Sequence, residues 1–143
     1  MSGSHIPAAL RRLVYERANG CCEYCLLPEA VSLASHEVDH IIAEKHGGST
    51  DADNLALSCT LCNKRKGSDL SSIDPVTGNI VPLYNPRRDH WADHFQLDGA
   101  QFAARTPTGR TTLHFLHLNA SERVYERELL LAAGLFKLSG ADD

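Results

Sequence analysis

The stretch Cys59-Thr60-Leu61-Cys62-Asn63-Lys64-Arg65-Lys66-Gly67 carries two kinds of chemistry at once. If it opens a helix, Cys59 and Cys62 stand three apart and share a face. Asn63 is turned about 100° from Cys62 and shares a second face with Lys66. The thiol pair suits a structural metal, and the amide beside an ammonium suits an anionic ligand.

A second thiol pair completes the first half. Cys22 and Cys25 form another Cys-x-x-Cys knuckle. Two such pairs supply the four thiolates of a tetrahedral zinc site, with Zn–S distances of about 2.3 Å. One pair alone could be a redox dithiol, but two pairs use four of the five cysteines. Cys21, the odd one, gives the less usual Cys-x-x-x-Cys spacing and reads as a small buried hydrophobe. The interval between the knuckles is longer than in a zinc ribbon, so a substantial element lies between them.

Inside that interval, His36-Glu37-Val38-Asp39-His40 matches His-Glu-x-x-His, the helical zinc-protease motif. The ionisable Asp39, the nearby Gly47-Gly48 and the four unexplained cysteines argue against that reading. Asp39-His40 works better as a pair, a hard oxygen ligand for Mg²⁺ or Mn²⁺ beside an imidazole able to accept a proton. Adjacent strand residues point to opposite faces, so both can serve one site only where a strand ends or bends. A surface pair without a role is the plain alternative.

The elements that must hold these groups follow from the pattern. Val38, Ile41 and Ile42 favour a strand, and Leu55 and Leu57 alternate as a second. The Gly47-Gly48 to Asn54 segment between them is a loop too long for a tight turn. With the helix after Cys59 the order is strand, loop, strand, helix. Upstream, Pro7 to Asn19 reads as a helix with Leu10, Leu13 and Val14 on its apolar face, ended by Asn19-Gly20. Downstream, a turn-rich stretch from Asp69 to Asn79 leads into Ile80-Val81-Pro82-Leu83-Tyr84. His94–Leu97 and Gln101–Ala104 then form a hairpin about Asp98-Gly99. Thr106-Pro107 starts a helix carrying Leu113 and Leu116 inward, with His114 and His117 on its polar side. Asn119-Ala120-Ser121-Glu122 has the form of a capping box before a last helix through about Ala133.

The ordered set Cys22-x-x-Cys25, Asp39-His40-Ile41-Ile42, Gly47-Gly48, Asn54-Leu55, Cys59-x-x-Cys62-Asn63 and Lys66-Gly67 closely resembles the HNH endonucleases. The resemblance covers about residues 20 to 67. It implies an α+β fold: a ββα-metal finger flanked by an N-terminal helix and a C-terminal hairpin-plus-helices extension. By that resemblance Asp39 and Asn63 bind a catalytic Mg²⁺ or Mn²⁺, and His40 is the general base that activates water. Asn54 braces the loop that orients His40, Lys66 contacts a phosphate, and Cys22, Cys25, Cys59 and Cys62 hold a separate structural zinc. Asn63 stands where the family name calls for His, which favours harder, oxygen-liking metals. The implied reaction is phosphodiester hydrolysis in DNA. A zinc-stabilised nucleic-acid-binding module with an idle catalytic pair is the rival reading.

Totals set the outer bounds. At 143 residues, 43% hydrophobic and 22% charged, the chain suits a single domain over 1–143. Residues 20–70 would form the finger and 80–138 an accessory scaffold. The net charge of −4 excludes a broadly basic coat protein but leaves room for local basic patches. Lys64, Arg65, Arg87 and Arg88 are the candidates for backbone contacts; a solvated charge run is the alternative. Arg11, Arg12 and Arg17 read as a solvated face. Trp91 either contacts a groove or anchors a small core. Asn85-Pro86-Arg87 and Trp91-x-x-His94-Phe95 resemble, more loosely, an extended bacterial form of the family. No apolar run approaches the roughly 20 residues of a membrane span. With no signal peptide evident and cysteines arranged for metal, the expected location is cytoplasmic.

Overall fold

The computed structural model describes residues 5–138. They form a mixed α and β structure of small antiparallel sheets and short helices, gathered into two compact units. One runs to Ser68 and takes in Asn85–Arg88; the other comprises Asp69–Tyr84 and the described residues from Asp89 on.

The first unit begins with helix α1 (Ala8–Arg17), set off by Pro7. Asn19 and Gly20 both turn left-handed, at φ 54° and 69°, and the Gly20 N–H returns to the Tyr15 carbonyl at 3.0 Å. That closes the helix on the two residue types that tolerate the conformation most readily. Its inner face differs from the expected one, since Val14 is fully buried and Leu10 partly so, while Leu13 is exposed. Ile6 and Val14 pack with Val38, Leu55 and Leu57 into one core.

The last three residues of that core come from a two-stranded sheet, β1 (Glu37–His40) against β2 (Leu55–Ser58). The pairing is antiparallel, with Asp39 opposite Ala56 and His40 opposite Leu55. All four β2 residues are buried, so the expected alternation is absent. Both faces are covered, as in strands enclosed on two sides. The outer edge of β2 is closed too. Glu23 exchanges two hydrogen bonds with Leu57, N–H to carbonyl at 2.9 Å and carboxylate from N–H at 2.8 Å. Arg17 and Arg87 both donate to the Leu55 carbonyl, at 2.7 and 3.0 Å, and Arg87 also pairs with Glu23. An edge that would otherwise invite another strand is thereby sealed. Helix α2 (Thr60–Lys66) follows at once and completes the ββα finger.

The second unit holds two hairpins and three helices. Strands β3 (Ser71–Ile73) and β4 (Ile80–Pro82) pair across a turn built on Asp74. Its buried carboxylate accepts the Val76 N–H and two bonds from Arg110, at 2.9 and 2.6 Å. The one-turn helix α3 (Trp91–His94) runs into β5 (Phe95–Asp98), which pairs with β6 (Gln101–Ala104). The expected hairpin therefore forms one residue later, with His94 closing α3 instead of starting the strand. Trp91 is buried with its ring centroid 5.1 Å from Phe95 and 5.3 Å from Phe102, an anchor of this core. Helix α4 (Pro107–Phe115) is capped as expected by Thr106, whose hydroxyl accepts the Gly109 N–H at 3.0 Å.

Helix α5 (Ser121–Ala132) forms without the expected capping box, since Ala120 is its N-cap. The Asn119 amide instead exchanges two bonds with the Phe102 backbone, at 2.9 and 2.8 Å. Arg123 and Arg127 are buried and donate to the Leu116 and Leu118 carbonyls after α4. The Arg127 guanidinium also lies 4.0 Å over the Phe102 ring. Among the described residues no helix is long and apolar enough to cross a membrane.

Candidate functional site

The two thiol knuckles meet. Cys22, Cys25, Cys59 and Cys62 are buried, and their sulfurs lie within 4.8 Å of one another. The Cys25 and Cys59 sulfurs are 3.6 Å apart. A tetrahedron with Zn–S bonds of about 2.3 Å has sulfur–sulfur edges of about 3.8 Å, so the donor set fits zinc. Each knuckle also aims a backbone N–H at its first sulfur, Cys25 to Cys22 at 3.5 Å and Cys62 to Cys59 at 3.4 Å. Burial, then hydrogen bonds from the neighbouring thiols, pushes the Cys22 thiol well above its ordinary range. A cation is what lets such a buried group ionise. Cys59 does two jobs, because its sulfur is also the N-cap of α2. Cys21 stays outside the cluster, half-buried, with its sulfur 3.5 Å from the Asn19 carbonyl.

Beside the cluster is a small cavity lined by Asp39, His40, Asn63 and Lys66, with Tyr24 and Ser58. It has room for about one water-sized group. Asp39 and His40 reach it together because β1 ends at His40 and the chain bends through Ile41 and Ile42. The Asp39 carboxylate accepts the His40 N–H at 2.9 Å, which fixes the carboxylate at that strand end. Asn63 comes from the first turns of α2, and Lys66 from its last.

Lys66 is buried, and its ammonium donates to the Ile41 carbonyl at 2.9 Å. It is part of the cavity wall, not an outward arm.

His40 is buried as well. Its Nε2 lies 2.9 Å from the Thr50 hydroxyl, and its buried Nδ1 has no hydrogen-bond partner among the described residues. The loop carrying Thr50 is tied down by Asn54. That amide accepts the Ile42 N–H at 3.0 Å and donates to the Ile42 and Ser49 carbonyls at 3.0 and 2.8 Å. Gly48 fits there because a Cβ would sit 1.7 Å from the Ile42 oxygen. The glycine pair, a loop signal and part of the family pattern in sequence, thus includes a position where no side chain can stand.

The zinc-protease reading does not survive. Glu37–His40 is a strand, so His36 and His40 share no helix face. His36 instead sits before the strand with Nε2 2.7 Å from the Leu27 carbonyl. Its backbone N–H donates to Glu29, which Tyr15 also bonds.

Of the basic candidates, Lys64, Arg65 and Arg88 are exposed. Arg87 is occupied with Glu23 and the Leu55 carbonyl. Nothing in sequence reasoning singled out Tyr24, Ser58 or Thr50. Strand register could have found Ser58, since Ala56 opposes Asp39 and Ser58 lies two residues on, on the same face. Tyr24 sits inside the first knuckle and reaches the cavity with its phenol buried. Burial, reinforced by nearby acidic groups, raises its pKa well above the usual value, so it stays a neutral phenol.

Residues 22–69 match the model of the HNH endonuclease family. The resemblance read from the motifs is thereby shown for that segment, which contains the four-cysteine cluster and the ββα finger. The Septu protein PtuB of Bacillus thuringiensis is 27% identical over 124 residues, covering 85% of this chain and 46% of that protein. The chain thus spans about half the length of the curated relative it matches. No solved structure matches.

Proposed function

We propose that the first unit is a metal-dependent endonuclease that hydrolyses phosphodiester bonds in DNA. The observation that carries this is the convergence of Asp39, His40, Asn63 and Lys66 on one cavity of a finger in the HNH segment. In this reading the Asp39 carboxylate and the Asn63 amide oxygen hold Mg²⁺ or Mn²⁺. When bound, that ion neutralises the scissile phosphate and the leaving 3′ oxygen. His40 takes a proton from the water that attacks phosphorus in line. Asn54 holds the loop against which His40 rests, and Lys66 adds a fixed positive charge to the cavity wall. Cys22, Cys25, Cys59 and Cys62 carry a structural zinc that keeps α2, and with it Asn63, beside β1. Lys64, Arg65 and Arg88 are the surface cations proposed to meet backbone phosphates. Arg87 is proposed to act through the β2 edge that it closes.

The test is plasmid nicking by the purified chain with Mg²⁺ or Mn²⁺, run beside a mobility-shift assay on the same DNA. Nicking that EDTA abolishes supports the nuclease. Tight DNA binding with no metal-dependent cleavage would instead favour a binding module with an idle pair.

A further inference from the structure

We infer that Thr50 is a positioning residue for His40: its hydroxyl accepts the proton on Nε2 and so reserves Nδ1 as the proton-accepting nitrogen. This rests on the proposed nuclease reading. A neutral imidazole carries one N–H, and which nitrogen carries it is set by the partner of the other. For His40 the Thr50 hydroxyl, 2.9 Å from Nε2, can accept or donate there, while Nδ1 is buried with no partner among the described residues, so only a proton on Nε2 has an acceptor waiting. With the proton on Nε2, no donor among the described residues competes for the Nδ1 lone pair. With the proton on Nδ1, the base would be blocked and a donor would be buried without an acceptor, which costs free energy.

The placement of Thr50 is built, not incidental. Asn54 pins both of its neighbours: the side-chain amide donates to the Ser49 carbonyl at 2.8 Å, and the backbone N–H donates to the Asp51 carbonyl at 2.9 Å. Gly48 wedges against Ile42 just before it, with its N–H on the Ala43 carbonyl at 3.1 Å. Threonine adds a stiff χ1, so its hydroxyl has few directions available. The contacts of Asn54 therefore end, through Thr50, on one ring nitrogen of His40.

The experiment is ¹⁵N NMR of the His40 ring in the zinc-bound protein at alkaline pH, with Thr50→Val and Thr50→Ser compared. The wild type should show a protonated Nε2 and a bare Nδ1. Thr50→Val should mix the two tautomers and lower kcat roughly 10–100-fold, by analogy with the hydrogen-bond partners of metal-bound histidines. KM for DNA should hold, and Thr50→Ser should restore both readouts. A wild type with the proton on Nδ1 overturns the inference whether or not Thr50→Val folds, and so does a Thr50→Val protein unchanged in tautomer and rate. If the wild type cuts no DNA but its tautomer shifts in Thr50→Val, the nuclease reading fails while the Thr50 assignment stands.

Discussion

Asn54 shows how one side chain can serve a site it does not enter. Its amide meets three backbone groups of the loop from Ile42 to Ser49, and the loop in turn places Thr50 on His40. Asn54→Ala removes those partners from buried backbone, and each group left unpaired costs about 1–3 kcal/mol. Thermal unfolding should therefore begin at lower temperature, and DNA cleavage should drop even where the protein remains folded. A variant as stable and as active as the wild type would show that the loop does not depend on this amide. The role of Asn54 was legible in the sequence only through the family resemblance. Thr50 was not legible, because a hydroxyl in a Gly/Ser/Asp loop carries no signal until a partner stands opposite it.

The finger stands or falls with the element that Cys59 opens. Cys59 caps α2 and belongs to the thiol cluster, so the start of the helix and the candidate zinc site share one sulfur. Elemental analysis should find about one zinc per chain, and Cys62→Ser should lose it together with finger structure. Structural zinc is worth roughly 10–16 kcal/mol in small peptide hosts. Thiolates are required, so zinc should leave as pH falls; a metal-free protein with an intact finger would contradict this. Helix α1 is tied to the same unit by Tyr15, which donates to Glu29 and to the His36 carbonyl at 2.8 and 2.9 Å. Burial first, then the Glu29 bond, pushes its pKa up to about 12 from 10.0. Because the fold favours the neutral phenol, this contribution is full below the unfolded value and is lost as pH rises through about 12. Tyr15→Phe should abolish that alkaline step in a stability–pH profile. The order of these elements was readable from periodicity and from Asn19-Gly20. The burial of all of β2 was not, because its outer edge is closed by Glu23 and Arg87, residues distant in sequence.

The two units draw on different interactions. All five cysteines lie in the first, while the second is held by the Trp91, Phe95 and Phe102 rings and by Arg110 on Asp74. The β3–β4 hairpin escaped the sequence reading because a three-residue strand is too short to show a period; its turn is organised by an arginine far along the chain. The Asp98-Gly99 hairpin and the Thr106-Pro107 helix start carry local signals and were legible. Asn119 looked like a cap and bonds Phe102 instead, because a side-chain amide can serve either backbone partner.

The Arg110 guanidinium, helped by the Val76 N–H and opposed by burial, holds the Asp74 carboxyl well below the ordinary carboxylate range. Its contribution is present above the unfolded value and lost as pH falls through the folded one. Trp91 is the chain's single tryptophan, and its fluorescence should report that acid transition in the second unit. Asp74→Asn should weaken the unit at neutral pH and flatten its acid dependence. The most direct test of the whole account is the single-turnover rate of DNA cleavage by His40→Ala, with zinc content checked to match the wild type. A general base contributes about 10²–10⁴-fold, so the variant should cut slower by that factor while still binding DNA. Cleavage at the wild-type rate would contradict the assignment of His40 and the mechanism built on it.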